Sequence, residues 1–289
     1  MPVIETERLT HVYAPGTHFE VTALNEVTLN IEKGDFYALA GSTGSGKSTL
    51  VQHFNGLLTP SSGKLQVCGI NVTGKSIGQS LWRKVGLVFQ QPEHQLFEET
   101  VAGDIAFGPR NLGLPPEKVT ERVKDAMNLV GLDPDKVGAL PPLQLSGGLR
   151  RKVALAGVLA LRPEVLVLDE PGAGLDPVSR GKLFEQIDRL RAEQDMTVVL
   201  VTHNMEEVAR WANRMAVLHK GRLVMEGHTR EIFSRTASMG AYGLDAPAVV
   251  EMMLLLKANG VNVSGDVLTI DEAVSEIVLA LPEKVKTNL

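Results

Sequence analysis

The chain has 289 residues, of which 44% are hydrophobic and 22% charged, with a formal net charge of -5, one cysteine and seven histidines. This is the make-up of an ordinary globular protein, and it excludes a collagen-like, low-complexity or disulfide-stapled chain. The acidic balance supplies no basic block for nucleic acid, and the histidines, among them His11, His53 and His219, are scattered singly without metal-ligand spacing.

The segment Met1-Pro2-Val3-Ile4-Glu5 lacks the basic-then-apolar pattern of an export signal. Apolar stretches such as 153–161 and 252–256 fall far short of the ~18 residues needed to span a bilayer. Any membrane role is therefore expected to run through partners. In the first third, Val27, Leu29 and Ile31 alternate with Thr28, Asn30 and Glu32, the period of two of a half-buried strand. Lys33-Gly34-Asp35 is a turn, and the continuous apolar run 36–40 predicts a buried strand.

That strand is followed by Gly41-Ser42-Thr43-Gly44-Ser45-Gly46-Lys47-Ser48-Thr49, which fits G-x-x-x-x-G-K-[ST] from Gly41 to Ser48 and leads into a helical run over 47–55. The glycines let backbone N–H groups turn inward around a phosphate, and the helix N-terminus adds positive potential. Lys47 is expected on the β- and γ-phosphates, and the Ser48 hydroxyl on Mg²⁺.

From about 91 to 160 helical patterns dominate, as over 116–130, with Pro and Gly at the joints. Leu145-Ser146-Gly147-Gly148 opens a helix expected to run to Ala160, with Ser146 as its N-cap. The apolar strand 165–168 ends in Asp169-Glu170. Carboxylates at the carboxyl end of a parallel strand lie where open α/β sheets bind ligands, so Asp169 is expected on Mg²⁺ and Glu170 on the attacking water. A helix over 177–194 and a strand over 197–201 complete a parallel α/β unit. In the tail, 246–258 is predicted helical, and Thr269 with Glu272 reads as a capping box ahead of an apolar face of Ile270, Ala273, Val274, Ile277 and Val278.

Leu145-Ser146-Gly147-Gly148-Leu149-Arg150-Arg151 resembles the L-S-G-G-Q signature of the ATP-binding cassette family. The resemblance implies a P-loop NTPase of the ABC ATPase fold, with an antiparallel β subdomain, a helical subdomain over about 91–161 and an ATPase domain over 1–235. The helical appendage is then 236–289. It also implies that Ser146, Gly147 and Gly148 meet the γ-phosphate of ATP held by a second subunit. In order along the chain, Gln90 resembles the family's Q-loop residue, which senses Mg²⁺ and the membrane partner. Asp176 resembles the D-loop residue that bridges subunits, His203 the switch histidine on the γ-phosphate, and Tyr13 the aromatic stacked on adenine. Each has a plainer reading: a surface glutamine, a helix cap, a hydrogen-bonded histidine and a packing aromatic. Leu149 stands where the family usually has Gln. Leucine has no side-chain hydrogen bond to give, so weaker completion of the partner's site is expected, short of loss.

A finer resemblance, in 91–101, 104–109 and 13–17, is to the ATPase subunits of energy-coupling factor transporters. It implies a pair of ATPase subunits, a heterodimer rather than a homodimer, with this chain as the second of two paralogues. It further implies a peripheral place at the cytoplasmic face of the membrane and a transmembrane coupling protein contacted through about 90–100, with Glu93, Glu98 and Glu99 beside basic helix ends. Small membrane subunits would deliver vitamins or Ni²⁺/Co²⁺. The competing readings are another ABC transporter, a soluble ABC ATPase acting on nucleic acid, and a small-molecule kinase. The acidic charge and single phosphate loop disfavour the soluble nucleic-acid ATPase, and Ser146-Gly147-Gly148 with His203 disfavour the kinase.

Overall fold

Strand residues alternate between the two faces of a sheet, and here both faces are covered, so the central strands read as unbroken apolar runs. The computed structural model describes residues 2–72, 78–235 and 239–280; the parts of the expected appendage at 236–238 and 281–289 lie outside the described residues. The amino-terminal strands are β1 (Pro2–Tyr13), β2 (Val21–Glu32), β3 (Phe36–Ala40), β4 (Ser62–Val67), β5 (Ile70–Asn71) and β6 (Val85–Val88), with α1 (Lys47–Phe54) after β3 and the short α2 (Gly78–Leu81) before β6. A helical stretch follows: α3 (Val101–Asn111), α4 (Pro116–Leu129), α5 (Pro134–Val137) and α6 (Gly147–Leu159). The chain then alternates through β7 (Val165–Asp169), α7 (Pro177–Gln194), β8 (Thr197–Val201), α8 (Met205–Trp211), β9 (Arg214–His219), β10 (Arg222–His228) and α9 (Thr229–Phe233). The tail holds α10 (Ala248–Ala258) and α11 (Ile270–Ala280).

Two sheets form: an antiparallel one in the order β2-β1-β4-β5, and a six-stranded one in the order β10-β9-β3-β8-β7-β6, parallel apart from the β10 edge. Alternation in the large sheet splits the core. Tyr37, Leu39, Val165, Val167, Val199 and Val201 join a cluster with Leu24, Leu29 and Phe54, on the side of the antiparallel sheet and α1. Phe36, Ala38, Leu166, Leu168, Val198 and Leu200 join a cluster with Ile105, Met127, Val153 and Ala156 from α3, α4 and α6. One sheet thus faces β structure on one side and helices on the other.

The register fixes the site. Asp169 pairs with Val201 and Leu39 with Val201, so the carboxyl ends of β3, β7 and β8 lie abreast. The three segments that leave them are the phosphate loop, Asp169-Glu170 and Thr202-His203.

The tail departs from expectation in two respects. The helix expected over 246–258 begins at Ala248, because the residue before a proline is driven out of the helical region and Pro247 itself, at φ -54 and ψ 140, is the cap and not part of the helix. In α11 the Glu272 N–H donates to Thr269 Oγ1, as in a capping box, but the Glu272 carboxylate accepts from the Leu268 N–H and from Arg230 instead of closing the box on Thr269. Of the expected apolar face only Ala273 is buried, and Ile270, Val274 and Val278 are exposed.

Candidate active site

Between β3 and α1 the chain must turn sharply around an empty centre, which requires backbone that side-chain-bearing residues avoid. Gly41, Gly44 and Gly46 all have positive φ. A Cβ on Gly46 would sit 2.6 Å from the Ala23 carbonyl oxygen, and one on Gly41 would strike the Leu218 carbonyl. The loop therefore fits only as glycine at these points. Lys47 is buried; its Nζ donates to the Gly41 carbonyl at 2.7 Å and the Ser42 carbonyl at 3.0 Å, with Ser45 Oγ at 3.5 Å. Burial holds its pKa below the usual lysine range, opposed by the charges of Glu170 and Asp169.

Across the loop, the Ser48 hydroxyl donates to Asp169 Oδ2 at 3.2 Å. Burial raises the Asp169 carboxyl pKa, against the lowering effect of that hydrogen bond and of Lys47. Glu170 follows with φ 49, a left-handed conformation that costs a non-glycine residue on the order of 1–3 kcal/mol and is kept where surroundings demand it. Its N–H donates to the Val201 carbonyl at 2.9 Å. Its carboxylate accepts from Gln90 Nε2 at 3.3 Å and lies 2.7 Å from His203 Nδ1. One cleft is lined by Tyr13, Thr43, Gly44, Gly46, Lys47, Ser48, Thr49, Gln90, Asp169, Glu170 and His203. It brings together most of the residues singled out from sequence. It also adds Val21, Thr22, Ala23, Lys220 and Gly221, for which the β9–β10 turn at Lys220-Gly221 was the available signal.

Two expected groups lie apart from this cleft. Ser146 caps α6, its Oγ accepting from the Leu149 N–H at 3.4 Å, and α6 ends at Leu159 with Ala160 as C-cap. Asp176 caps α7, accepting from the Val178 and Ser179 N–H groups at 3.0 Å each, and the Ser179 side chain, together with those backbone bonds, holds its carboxyl below the usual range. The two segments are presented away from the phosphate loop, as they must be if they serve a second subunit.

The comparisons with known proteins decide the family. A model of the ABC transporter family matches residues 24–173. The chain is 50% identical over 275 residues to the energy-coupling factor transporter ATP-binding protein EcfA2 of Clostridium tetani, covering 95% of this chain and 96% of that one. It is 47% identical to EcfA2 of Clostridium perfringens, covering 93% and 95%. The chain belongs to the energy-coupling factor ATP-binding proteins of the ABC family. Solved structures agree. CbiO1 of Clostridium perfringens, described as part of the ABC transporter complex cbiONQ, superposes with a TM-score of 0.74 at 32% identity, covering 90% of this chain and 97% of that one. A dimeric ATP-binding cassette in a post-hydrolysis state with ADP and Pi superposes with a TM-score of 0.69 at 28% identity, covering 78% and 98%.

Within this energy-coupling factor ATPase, two features depart from the sequence reading. Glu93, expected to face a basic partner, is paired inside the chain: both its oxygens accept from Arg151, at 3.3 and 3.4 Å, and Arg151 Nη1 also donates to the Ala173 carbonyl at 2.6 Å. The segment after Gln90, the signature helix and the loop after Glu170 are thus tied by one guanidinium. Second, His11 and His53 are not scattered singly in space. His53 Nδ1 lies 2.7 Å from the Thr49 carbonyl, an acceptor, so this nitrogen carries the proton and Nε2 accepts from His11 Nδ1 at 3.1 Å. His11 in turn packs edge-on against Tyr13, whose hydroxyl lies 3.2 Å from Thr49 Oγ1.

Burial lowers the His53 pKa from 6.5 to about 4. The unfolded chain therefore takes up a proton that the folded chain refuses, so the stabilisation is complete above pH 6.5 and is lost as pH falls toward 4. By pH 5 the loss from this group alone is expected to reach about 2 kcal/mol. Urea titrations at pH 7.5 and 5 check it: a His53→Gln variant is expected to lose less stability than the parent over that interval, and an equal loss would refute the assignment.

Proposed function

We propose that the chain is the ATP-hydrolysing subunit of an energy-coupling factor importer, the second of two A-type paralogues, with residues 1–235 as its ATPase domain and 236–289 as a helical appendage. The observation that carries the reading is the convergence of Lys47, Asp169, Glu170, Gln90 and His203 in one cleft at the ends of three adjacent strands. ATP lies with its triphosphate over the loop of Gly41, Ser42, Thr43, Gly44, Ser45 and Gly46 and its base against Tyr13. Lys47 neutralises the β- and γ-oxygens. Glu170 takes the proton of the attacking water, Gln90 orients that carboxylate, and His203 contacts the γ-phosphate.

The donor set suits Mg²⁺. The Ser48 hydroxyl, the Asp169 carboxylate and the Gln90 amide are hard oxygen donors, and among the described residues no three His, Cys, Asp or Glu form a cage of their own. Ser48, Asp169 and Gln90 would hold the ion, which would supply positive charge against the charge that develops on the phosphoryl group.

A second cassette completes the site. Ser146, Gly147 and Gly148 at the N-terminus of α6, with Asp176, face the partner's ATP. At that position Leu149 withholds a hydrogen bond. Leu149→Gln is expected to raise ATP turnover of the assembled complex by a few-fold, as one added hydrogen bond of about 1 kcal/mol allows. Steady-state ATPase rates check this, and an unchanged rate would make the position peripheral.

The membrane contact runs through residues 90–100. Beside them, Trp82, Leu96, Phe97, Phe107, Val158 and Leu161 line a groove between α3 and α6, with Phe97 and Phe107 edge-to-face at 4.9 Å. Among the described residues no helix is long and apolar enough to cross a membrane. In this reading a coupling protein supplies the span, and the protein sits peripherally on its cytoplasmic side. Small membrane subunits bind the cargo, a vitamin or Ni²⁺/Co²⁺ ion. A tagged chain pulled from detergent-solubilised membranes is expected to bring a second ATPase, a multi-span protein and small membrane proteins. Recovery of the chain alone would remove transport from the reading and leave the ATPase chemistry.

A further inference from the structure

Behind Glu170, on the side away from the phosphate loop, lies a small cavity lined by Glu170, Gly172, Thr202, His203, Arg180 and Glu207. Its back wall is an ion pair. Glu207, on α8, is buried, and its Oε2 accepts from the Thr202 hydroxyl at 2.9 Å. Its Oε1 lies 3.8 Å from Arg180 Nη1, on α7. Arg180 Nη2 donates to the Leu175 carbonyl at 3.2 Å, next to Asp176. The backbone between them is pressed against the pair: a Cβ on Gly172 would meet Glu207 Oε1 at 2.6 Å and Arg180 Cγ and Cδ at 3.2 Å.

Three segments therefore share one pair of charges. The strand end at Thr202 leads into His203, which contacts Glu170. The loop through Gly172 leads out of Glu170. Leu175 leads into Asp176, which faces outward at the start of α7. Glu207 is buried while 33% of the Arg180 side chain is exposed; desolvation of the carboxylate consumes much of the attraction, so the pair is a poor source of stability. What such a pair does provide is a fixed geometry, since Glu207 left without its partners is a buried, uncompensated carboxylate. The Arg180 guanidinium has not used all its donors: Nε is buried and has no hydrogen-bond partner among the described residues, so the present arrangement leaves room for one more acceptor. Burial also raises the Glu207 carboxyl pKa, with Thr202, Arg180 and His203 opposing the rise.

We propose that Arg180 and Glu207 are positioning residues that lock the outward-facing Asp176 loop to the Thr202-His203 strand end, so that engagement of a second subunit at Asp176 is transmitted to Glu170 and His203. Neither residue touches nucleotide. They act through the carbonyl of Leu175, the backbone at Gly172 and the hydroxyl of Thr202. The proposal rests on the ATPase reading above.

The test uses the full-length chain in the complex it forms, with Glu207→Gln, Arg180→Lys and, as a variant that keeps both charges, Gly172→Ala. Measured for each are kcat and KM for MgATP, affinity for a fluorescent ATP analogue, and the thermal midpoint. The expected result is a fall in kcat of roughly tenfold in all three, with KM and nucleotide affinity within about twofold of the parent. A kcat within about twofold of the parent overturns the proposal. So does a fall in kcat that comes with matching losses of nucleotide affinity and thermal midpoint, because that is the signature of mere packing. If one variant fails to fold, the remaining two carry the same outcomes. Parent turnover that Lys47→Ala does not abolish would instead overturn the ATPase reading, and this inference with it.

Discussion

Glu170→Gln is expected to lower ATP turnover by about a hundredfold or more and to leave an ATP-bound dimer that persists long enough to isolate. The substitution removes little besides basicity. Glutamine has the shape of glutamate and can keep its carbonyl oxygen toward one of the two groups that hold the carboxylate, Gln90 Nε2 at 3.3 Å on one oxygen and His203 Nδ1 at 2.7 Å on the other, with its NH2 in place of the second oxygen. It cannot accept the proton of the attacking water. Binding should survive, because Lys47, Ser48 and Asp169 are untouched, and the closed dimer should accumulate because the step that reopens it is blocked. Size-exclusion chromatography with MgATP, beside a phosphate-release assay, reads both effects. Parent-like turnover would remove Glu170 from its role as base.

Lys47→Ala is the second large effect. The ammonium lies at the focus of the loop, held by the Gly41 and Ser42 carbonyls, and burial already lowers its pKa, so the loop has given up solvent there in favour of a fixed charge. Hydrogen bonds to charged groups are worth roughly 1.5–3 kcal/mol, which corresponds to a tenfold to hundredfold loss of nucleotide affinity. Hydrolysis is expected to fall to background, since the same charge stabilises the transferring phosphoryl group. Circular dichroism should be unchanged. Retained affinity and turnover would mean that the lysine is a structural prop for its own loop.

What could be read from the sequence was local. The phosphate loop, the strand ending in Asp169-Glu170 and the Ser146 cap each declare themselves within about ten residues, because turn chemistry, burial and capping are short-range effects. The order of the elements followed from strand and helix periods. What could not be read was pairing at a distance. Glu93 meets Arg151 and His11 meets His53 only because the sheet and the helical layer bring separate stretches of chain together, and neither pair leaves a periodic trace. Glu93 in particular reads, with its neighbours Glu98 and Glu99, as one of a set of acids facing basic helix ends of a partner, because nothing near it in sequence points to Arg151. The apolar face of α11 was legible, but its fate was not: periodicity shows that residues share a side and says nothing about whether anything covers it.

The order of strands in the large sheet also has a consequence for how the protein is made. β3, which carries the phosphate loop, lies between β8 and β9; Phe36 pairs with Val198, and Ala40 with Val217. On the ribosome this strand emerges early and then waits, with both edges open, until the chain has been synthesised past Leu218. Non-local pairing of this kind folds slowly and leaves apolar edges exposed meanwhile. The nucleotide site therefore cannot form until β8 and β9, the strands on either side of the one that begins it, have both been made, so no product truncated before Leu218 can bind ATP in this way.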